Sequence, residues 1–238
     1  MTEFTIILLQ MLVAHVLGDF LLQPNKWVKD KEQKKIRSKY LYAHVLLHGV
    51  LVYVFIGHWN QVFVPVLIIC IHFIIDVIKL YQKKSTWWFV LDQIAHICSI
   101  ILIWALFYNQ FQTLQDFLLG LFNSVQFWKL ALAYMFILQP VSIVMYQLTR
   151  NWHQEIDEKK GASLKDAGKW IGMLERVLIL TFIVINQFAA IGFLLAAKSI
   201  FRFGDLTQKK DRKLTEYILI GTLLSFTITI IVGLLVVS

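Results

Sequence analysis

The sequence predicts an all-α membrane protein: a polytopic transmembrane helical bundle of six to seven membrane segments, with a four-helix His/Asp site bundle in its N-terminal half. Three observations carry this reading. First, 58% of the 238 residues are hydrophobic and only 16% are charged, against roughly 45–50% and 25% in soluble domains, and mean hydropathy is +0.65. Second, the apolar residues gather in seven stretches, near 4–23, 40–57, 62–81, 88–108, 128–148, 170–200 and 214–237. Most are close to the roughly 20 residues that a helix needs to cross a bilayer. Third, Lys and Arg concentrate in alternate connections between these stretches, the pattern of cytoplasmic loops. Such a composition excludes a disordered chain. The net charge of +8 reads as a topology signal and not as a nucleic-acid surface, and Cys70 and Cys98, both inside apolar runs, form no disulfide or C-x-x-C framework and are read as packing residues.

Along the chain, Met1-Thr2-Glu3-Phe4 has no basic region and no small-x-small cleavage site follows the first apolar run, so a retained span is expected there, not a secretory signal. Residues 24–39 carry Lys26, Lys29, Lys31, Lys34, Lys35, Arg37 and Lys39 and read as a basic loop. The connection His58–Gln61 has no Lys or Arg, Lys83 and Lys84 follow the third span, 109–127 again has none, and 149–169 is basic. The alternation places 24–39, 82–87 and 149–169 in the cytoplasm and the N-terminus outside. Residues 112–125 are too few to span and are expected as an interfacial helix on the outer side. As one helix, 170–200 would be about 45 Å long, so a tilted helix or a re-entrant hairpin is expected. A hairpin would also return the basic stretch near 203–213 to the cytoplasm, with Arg176, Lys198 and Arg202 pairing with Glu175 and Glu216. The expected domains are 1–125, which holds the site and the interfacial helix, and 126–238, which supports, caps or oligomerises the bundle.

Chemistry concentrates in the first four spans. Each holds two ligand-type residues four apart: His15 and Asp19, His44 and His48, His72 and Asp76, Asp92 and His96. Four residues advance about 400° around a helix, so each pair shares one face, a turn apart. Measured from the expected cytoplasmic ends near Gln23, Tyr40, Tyr81 and Trp88, Asp19, His44, Asp76 and Asp92 lie roughly 6–8 Å deep, and His15, His48, His72 and His96 roughly 12–14 Å deep. Helices of alternating direction thus present one layer of three Asp and one His beneath a layer of four His. Ionisable groups in a bilayer cost several kcal/mol and mark function. Imidazole with carboxylate suits Zn, with Fe or Mn as alternatives, and eight ligands suffice for one or two ions. Asp19, near the cytoplasmic mouth, is the candidate general base. Gln23 and Gln93 are candidates to orient substrate or a ligand, and Lys79 to hold an anionic head group. Neither cysteine shares the ligand face, since two residues rotate about 200°. His58 and His153 fall outside the spans.

The function expected from these residues is a membrane-embedded metal-dependent hydrolase, acting from the cytoplasmic side on a lipid or isoprenoid ester or phosphoester, with membrane lipid as its partner. The alternatives are a di-iron membrane oxidase or hydroxylase, a proton or metal-ion transporter using the same cluster, and a bis-histidine haem protein.

Ala14-His15-Val16-Leu17-Gly18-Asp19-Phe20-Leu21-Leu22-Gln23, His44-x3-His48, His72-x3-Asp76 and Asp92-Gln93-x2-His96 resemble a bacterial family of multi-span membrane proteins known as a domain of unknown function, over roughly residues 5–125. Ile171–Arg176, Ala196–Ser199 and Glu216-Tyr217 resemble its longer members. The resemblance implies a bacterial inner-membrane location and supplies no activity. The buried His and Asp pairs are also similar to those of membrane-bound metal-dependent hydrolases, whose motif order differs.

Overall fold

A computed structural model describes residues 3–156, 167–203 and 211–238. Every regular element among them is helical. Six helical stretches are long and apolar enough to cross a membrane: Glu3–Leu21, Lys39–Ile56, Phe63–Leu80, Thr86–Phe107, Val125–Arg150 and Thr215–Val237. Their polarity is inverted relative to a soluble protein. Histidine and aspartate are buried, while large apolar side chains such as Phe63, Ile74, Leu132 and Phe193 are exposed, an arrangement stable where the surrounding solvent is hydrocarbon. The chain is a multi-span helical membrane protein.

The chain divides into two compact units, Met1–Leu119 and Gly120–Ser238. In the first, α1 (Glu3–Val16), α3 (Lys39–Ile56), α4 (Phe63–Leu80) and α5 (Thr86–Phe107) pack in a closed ring, α1 on α3, α3 on α4, α4 on α5 and α5 on α1. Ser85 caps α5 by accepting from the Trp88 amide, which satisfies one of the donors a helix start leaves free. α3 ends at Gly57, whose φ of 68° is the left-handed C-terminal stop that glycine adopts without strain. One half of this bundle is a dry core of Ile7, Met11, Val52, Val64, Ile68 and Ile103; the other half holds the polar residues.

The basic stretch 24–39 is not a loop. It forms α2 (Asn25–Lys34) and a 3₁₀ turn, Lys35–Arg37. Pro24, extended at ψ 149°, ends the preceding segment, and the ten helical residues contain no Gly or Pro, so propensity favours a helix there. Lys34 and then Ser38 hydrogen-bond the Asp30 carboxylate and hold it below the usual carboxylate range. Residues 112–125 contribute α6 (Phe111–Phe122), twelve residues that bury no side chain. The division between the units falls inside α6, at Leu119 and Gly120. Cys70 and Cys98 are exposed and not packed inside, because the ligand face of each helix points inward and the cysteines point away from it.

In the second unit, α7 (Val125–Ile156), α8 (Ala167–Val184) and α10 (Asp211–Val237) meet at Ala133, Ile137, Leu180 and Val236. The long segment at 170–200 is two helices: a turn at Ile185–Gln187, with Asn186 at φ 59°, separates α8 from α9 (Phe188–Phe203). Asn tolerates this conformation better than the apolar residues around it. Lys198 pairs with Glu175 at 2.7 Å. Arg176 reaches backbone carbonyls and a serine. Its guanidinium donates to the Ile137 and Leu138 carbonyls at 2.5 and 3.2 Å and to Ser142 Oγ at 2.5 Å. Pro140 lies inside α7 and removes the amide that would bond the Phe136 carbonyl, one residue before the carbonyls Arg176 reaches. The side chains of His153 and Arg202, and residues 157–166 and 204–210 of the two basic connections, lie outside the described residues.

Candidate metal centre and its cavity

All eight residues of the sequence pattern converge inside the first unit. His15, His44, His48, His72, Asp76, Asp92 and His96 are buried, and the Asp19 side chain is 10% exposed. The rings of His48 and His72 stack at 3.8 Å between centroids, and those of His72 and His96 at 4.0 Å. His15 lies 5.1 to 5.8 Å from the rings of His96, His48 and His72, closing the four-histidine layer around a small void.

Asp19 is the hub. Its Oδ1 lies 3.0 Å from His48 Nε2, 3.2 Å from His44 Nε2 and 3.5 Å from His72 Nε2, and its Oδ2 lies 3.9 Å from His15 Nε2. Two ligand atoms held about 2.0–2.1 Å from one tetrahedral ion are about 3.3 Å apart, so this spacing matches the edges of a coordination polyhedron. Three groups have all their ligand atoms within 4.8 Å of one another: His15, Asp19, His48 and His72; His44, His72 and Asp76; Asp19, Asp92 and His96. Asp19 and His72 each belong to two of them.

The backbone that delivers Asp19 is unusual. α1 continues into a π-helical turn, Leu17–Leu21, closed by the Leu22 amide on the Leu17 carbonyl at 2.8 Å. Such turns occur often at functional sites. Within it, a Cβ on Gly18 would collide with the His48 ring, so only glycine lets α1 come this close to α3. Gly18→Ala is therefore expected to cost about 1–3 kcal/mol by overpacking and to push His48 away from Asp19. A lowered thermal midpoint with unchanged expression checks this; an unchanged midpoint would show that the ring can step aside.

The two glutamines address the cluster. Gln93 donates to Asp19 Oδ2 at 2.9 Å and to Asp92 Oδ2 at 3.1 Å. The Gln23 amide nitrogen lies 2.8 and 2.9 Å from the two ring nitrogens of His44. Both orient ligand-type side chains, and Gln23 also lines the adjoining cavity. Lys79 lines it too, with its ammonium 2.6 Å from Asp92 Oδ2.

Lys31 was not legible as a site residue. It is 5% exposed and its Nζ donates to Asp76 Oδ2 at 2.8 Å. The sequence signal for it is the stripe Val28, Lys31, Lys35 at spacings of three and four, which on a helix is one face and mixes an apolar residue with two lysines. α2 is strapped over the end of the bundle by Lys31 on Asp76, by Lys35 donating to the Leu80 carbonyl at 2.5 Å, and by Lys84 pairing with Glu32 at 2.5 Å. Between α2 and the cluster lies a cavity of about 540 Å³ with Asp19, His44 and Asp76 in its wall.

Some buried atoms have no partner. Among the described residues, both ring nitrogens of His15, Nε2 of His96 and Oδ1 of Asp92 make no hydrogen bond. Asp76 and Asp92 each give one oxygen to a lysine, while the other faces His96 Nε2 at 3.8 and 3.6 Å. Unsatisfied buried groups cost about 1–3 kcal/mol each, and one explanation for them is an ion.

Fold and site together define a multi-span membrane protein whose N-terminal four-helix bundle encloses a convergent His/Asp cluster. Residues 7–123, almost the whole of the N-terminal unit, match the family model described as Protein of unknown function (DUF3307). The match takes in all eight cluster residues and ends before 171–176, 196–199 and 216–217. No curated protein and no solved structure matches the chain.

Proposed function

We propose that the chain is a metal-dependent hydrolase embedded in the bacterial inner membrane, acting from the cytoplasmic side on a lipid or isoprenoid ester or phosphoester. The observation that carries this is the set of buried, unpartnered nitrogen and oxygen atoms on His15, His96 and Asp92 beside an aspartate with imidazoles at ligand-to-ligand spacing. One or two divalent ions, zinc first and iron or manganese as alternatives, fit this donor set. Three groups of residues would hold them: His15, Asp19, His48 and His72; Asp19, Asp92 and His96; and His44, His72 and Asp76. A bound ion there would supply Lewis-acid activation of water and of a substrate oxygen. The chain's own residues do the rest: Gln93 fixes the Asp19 and Asp92 carboxylates, Gln23 fixes His44, and Lys31 and Lys79 balance the remaining carboxylate charge. Asp19, which borders the cavity, is the carboxylate placed to take a proton from water there. Hydrolysis is favoured over ion transport because beyond the histidine layer the void is lined by Met11, Val52, Ile68 and Ile100, with Ser99 as the single polar side chain among the described residues there.

The test is elemental analysis of the detergent-purified full chain beside His72→Ala, followed by a screen of lipid esters and phosphoesters. Zinc or manganese at one or two equivalents, lost in the variant, together with a metal-dependent turnover is the expected result. Iron with a redox-sensitive absorption band would replace hydrolysis with oxidation, and no metal after reconstitution would end the reading.

A further inference from the structure

We propose that the cavity over the cluster is a binding site for a phosphate group carried on an apolar chain, so that the substrate is an anionic lipid phosphate and not a neutral ester. The proposal rests on the cluster beneath being the reacting site. Cavities of about 300–1,000 Å³ hold small ligands, and one of about 540 Å³ is far larger than inorganic phosphate requires. Its wall carries five lysines, Lys31, Lys35, Lys79, Lys83 and Lys84, against three carboxylates, Asp19, Glu32 and Asp76. They come from separate elements: α2, the 3₁₀ turn after it, the end of α4, and the connection to α5. Lysine ammonium groups bind phosphate as point charges. Lys31, Lys79 and Lys84 pair with Asp76, Asp92 and Glu32, which leaves Lys35 and Lys83 against Asp19 alone, and a neutral ester would leave that excess without a counterpart.

The lysines are arranged in two tiers. Lys31 and Lys79 touch the cluster carboxylates and stand between cluster and cavity. Lys83 and Lys84 stand at the rim, where Gln82–Ser85 are all exposed. Toward the cluster, Lys31 and Lys79 are set against Asp19, Asp76 and Asp92, so the uncompensated positive charge lies on Lys35 and Lys83, and these two would hold the phosphate of an entering anion.

Beside Gln82, Ser85 and Thr86, the wall has an apolar part: Val28, Leu80, Trp88 and Phe89. The Phe89 ring meets that of Phe20 in the π-turn at 6.3 Å, and Phe20, Leu21 and Leu22 are exposed. An apolar path thus runs from inside the cavity past Phe89 to the outer surface of the bundle, where lipid lies. A soluble phosphate compound has no use for that path; an acyl or isoprenyl chain does.

The experiment uses the full chain in nanodiscs, with binding read from tryptophan fluorescence and confirmed by native mass spectrometry. The probes are dioleoyl phosphatidic acid, dioleoyl phosphatidylcholine, dioleoylglycerol and inorganic phosphate, each titrated into the wild type, Lys35→Gln/Lys83→Gln and the charge-keeping Lys35→Arg/Lys83→Arg. The expected result is phosphatidic acid binding at least about tenfold tighter than the other two lipids, a comparable loss in the Gln pair, and recovery in the Arg pair. Equal binding of the three lipids, or no loss in the Gln pair, overturns the proposal. Inorganic phosphate displacing phosphatidic acid at equal concentration overturns the lipid part. Metal content is measured on the same samples: selective phosphatidic acid binding without metal overturns the hydrolase and leaves the phosphate site, whereas bound metal without that selectivity does the reverse.

Discussion

Asp19→Ala is expected to abolish metal binding by the purified chain. Asp19 is shared by two of the three ligand groups, and three imidazole nitrogens lie within 3.5 Å of its Oδ1. Removing the carboxylate deletes a ligand from both candidate ion positions and a negative charge from the space between them. Loss of a partner in the outer shell of a metal site typically costs 10–100-fold in affinity, so loss of a shared inner ligand is expected to exceed about 100-fold. His44, His48 and His72 also lose their common acceptor, so the metal-free chain should unfold earlier as well. Isothermal titration with zinc, beside His58→Ala as a control lying outside the cluster, measures the first effect. An affinity within a few-fold of the wild type would move the ion away from Asp19.

Lys31→Met separates two roles that would otherwise look alike. In the metal-free chain the variant leaves Asp76 buried without its ammonium partner, and breaking a buried pair costs about 3–5 kcal/mol. The midpoint of unfolding in chelator should fall accordingly. Zinc affinity should move the opposite way. A unit charge one carboxylate away from a divalent ion repels it by several kcal/mol even at an effective dielectric of about 20, whereas losing a hydrogen bond that orients a ligand costs only about 1.4–2.8 kcal/mol. Repulsion outweighs the lost hydrogen bond, so removing the lysine should tighten zinc binding by about tenfold or more, and zinc should restore the lost midpoint by mass action. Thermal unfolding in chelator and across a zinc titration reads both signs. If stability and affinity fall together, Lys31 merely positions Asp76.

These two variants also mark where the sequence was sufficient and where it was not. The Asp19 experiment follows from spacing alone, because pairs four apart on four helices of alternating direction must share depth as well as face. The Lys31 experiment does not. Lys31 lies 45 positions from Asp76, in a stretch whose charge density reads as a solvated loop. Only when α2 folds back over the end of α4 does its ammonium enter the bundle. The same holds for Arg176, whose guanidinium reaches the Ile137 and Leu138 carbonyls of another helix, and for Gly18, an unremarkable glycine until the His48 ring is placed against it.

Hydropathy, helical periodicity and residue type are local, and they dictate that this chain is a helical membrane protein with eight ionisable residues facing inward at matched depth. Which atoms meet is a matter of helix rotation, π-turn geometry and the path of α2 over distances that periodicity does not encode. Asp19 as hub, the two lysines on the cluster carboxylates and the lysine-walled cavity arise from that packing, because buried charges settle only where opposite charges and donors from distant segments reach them.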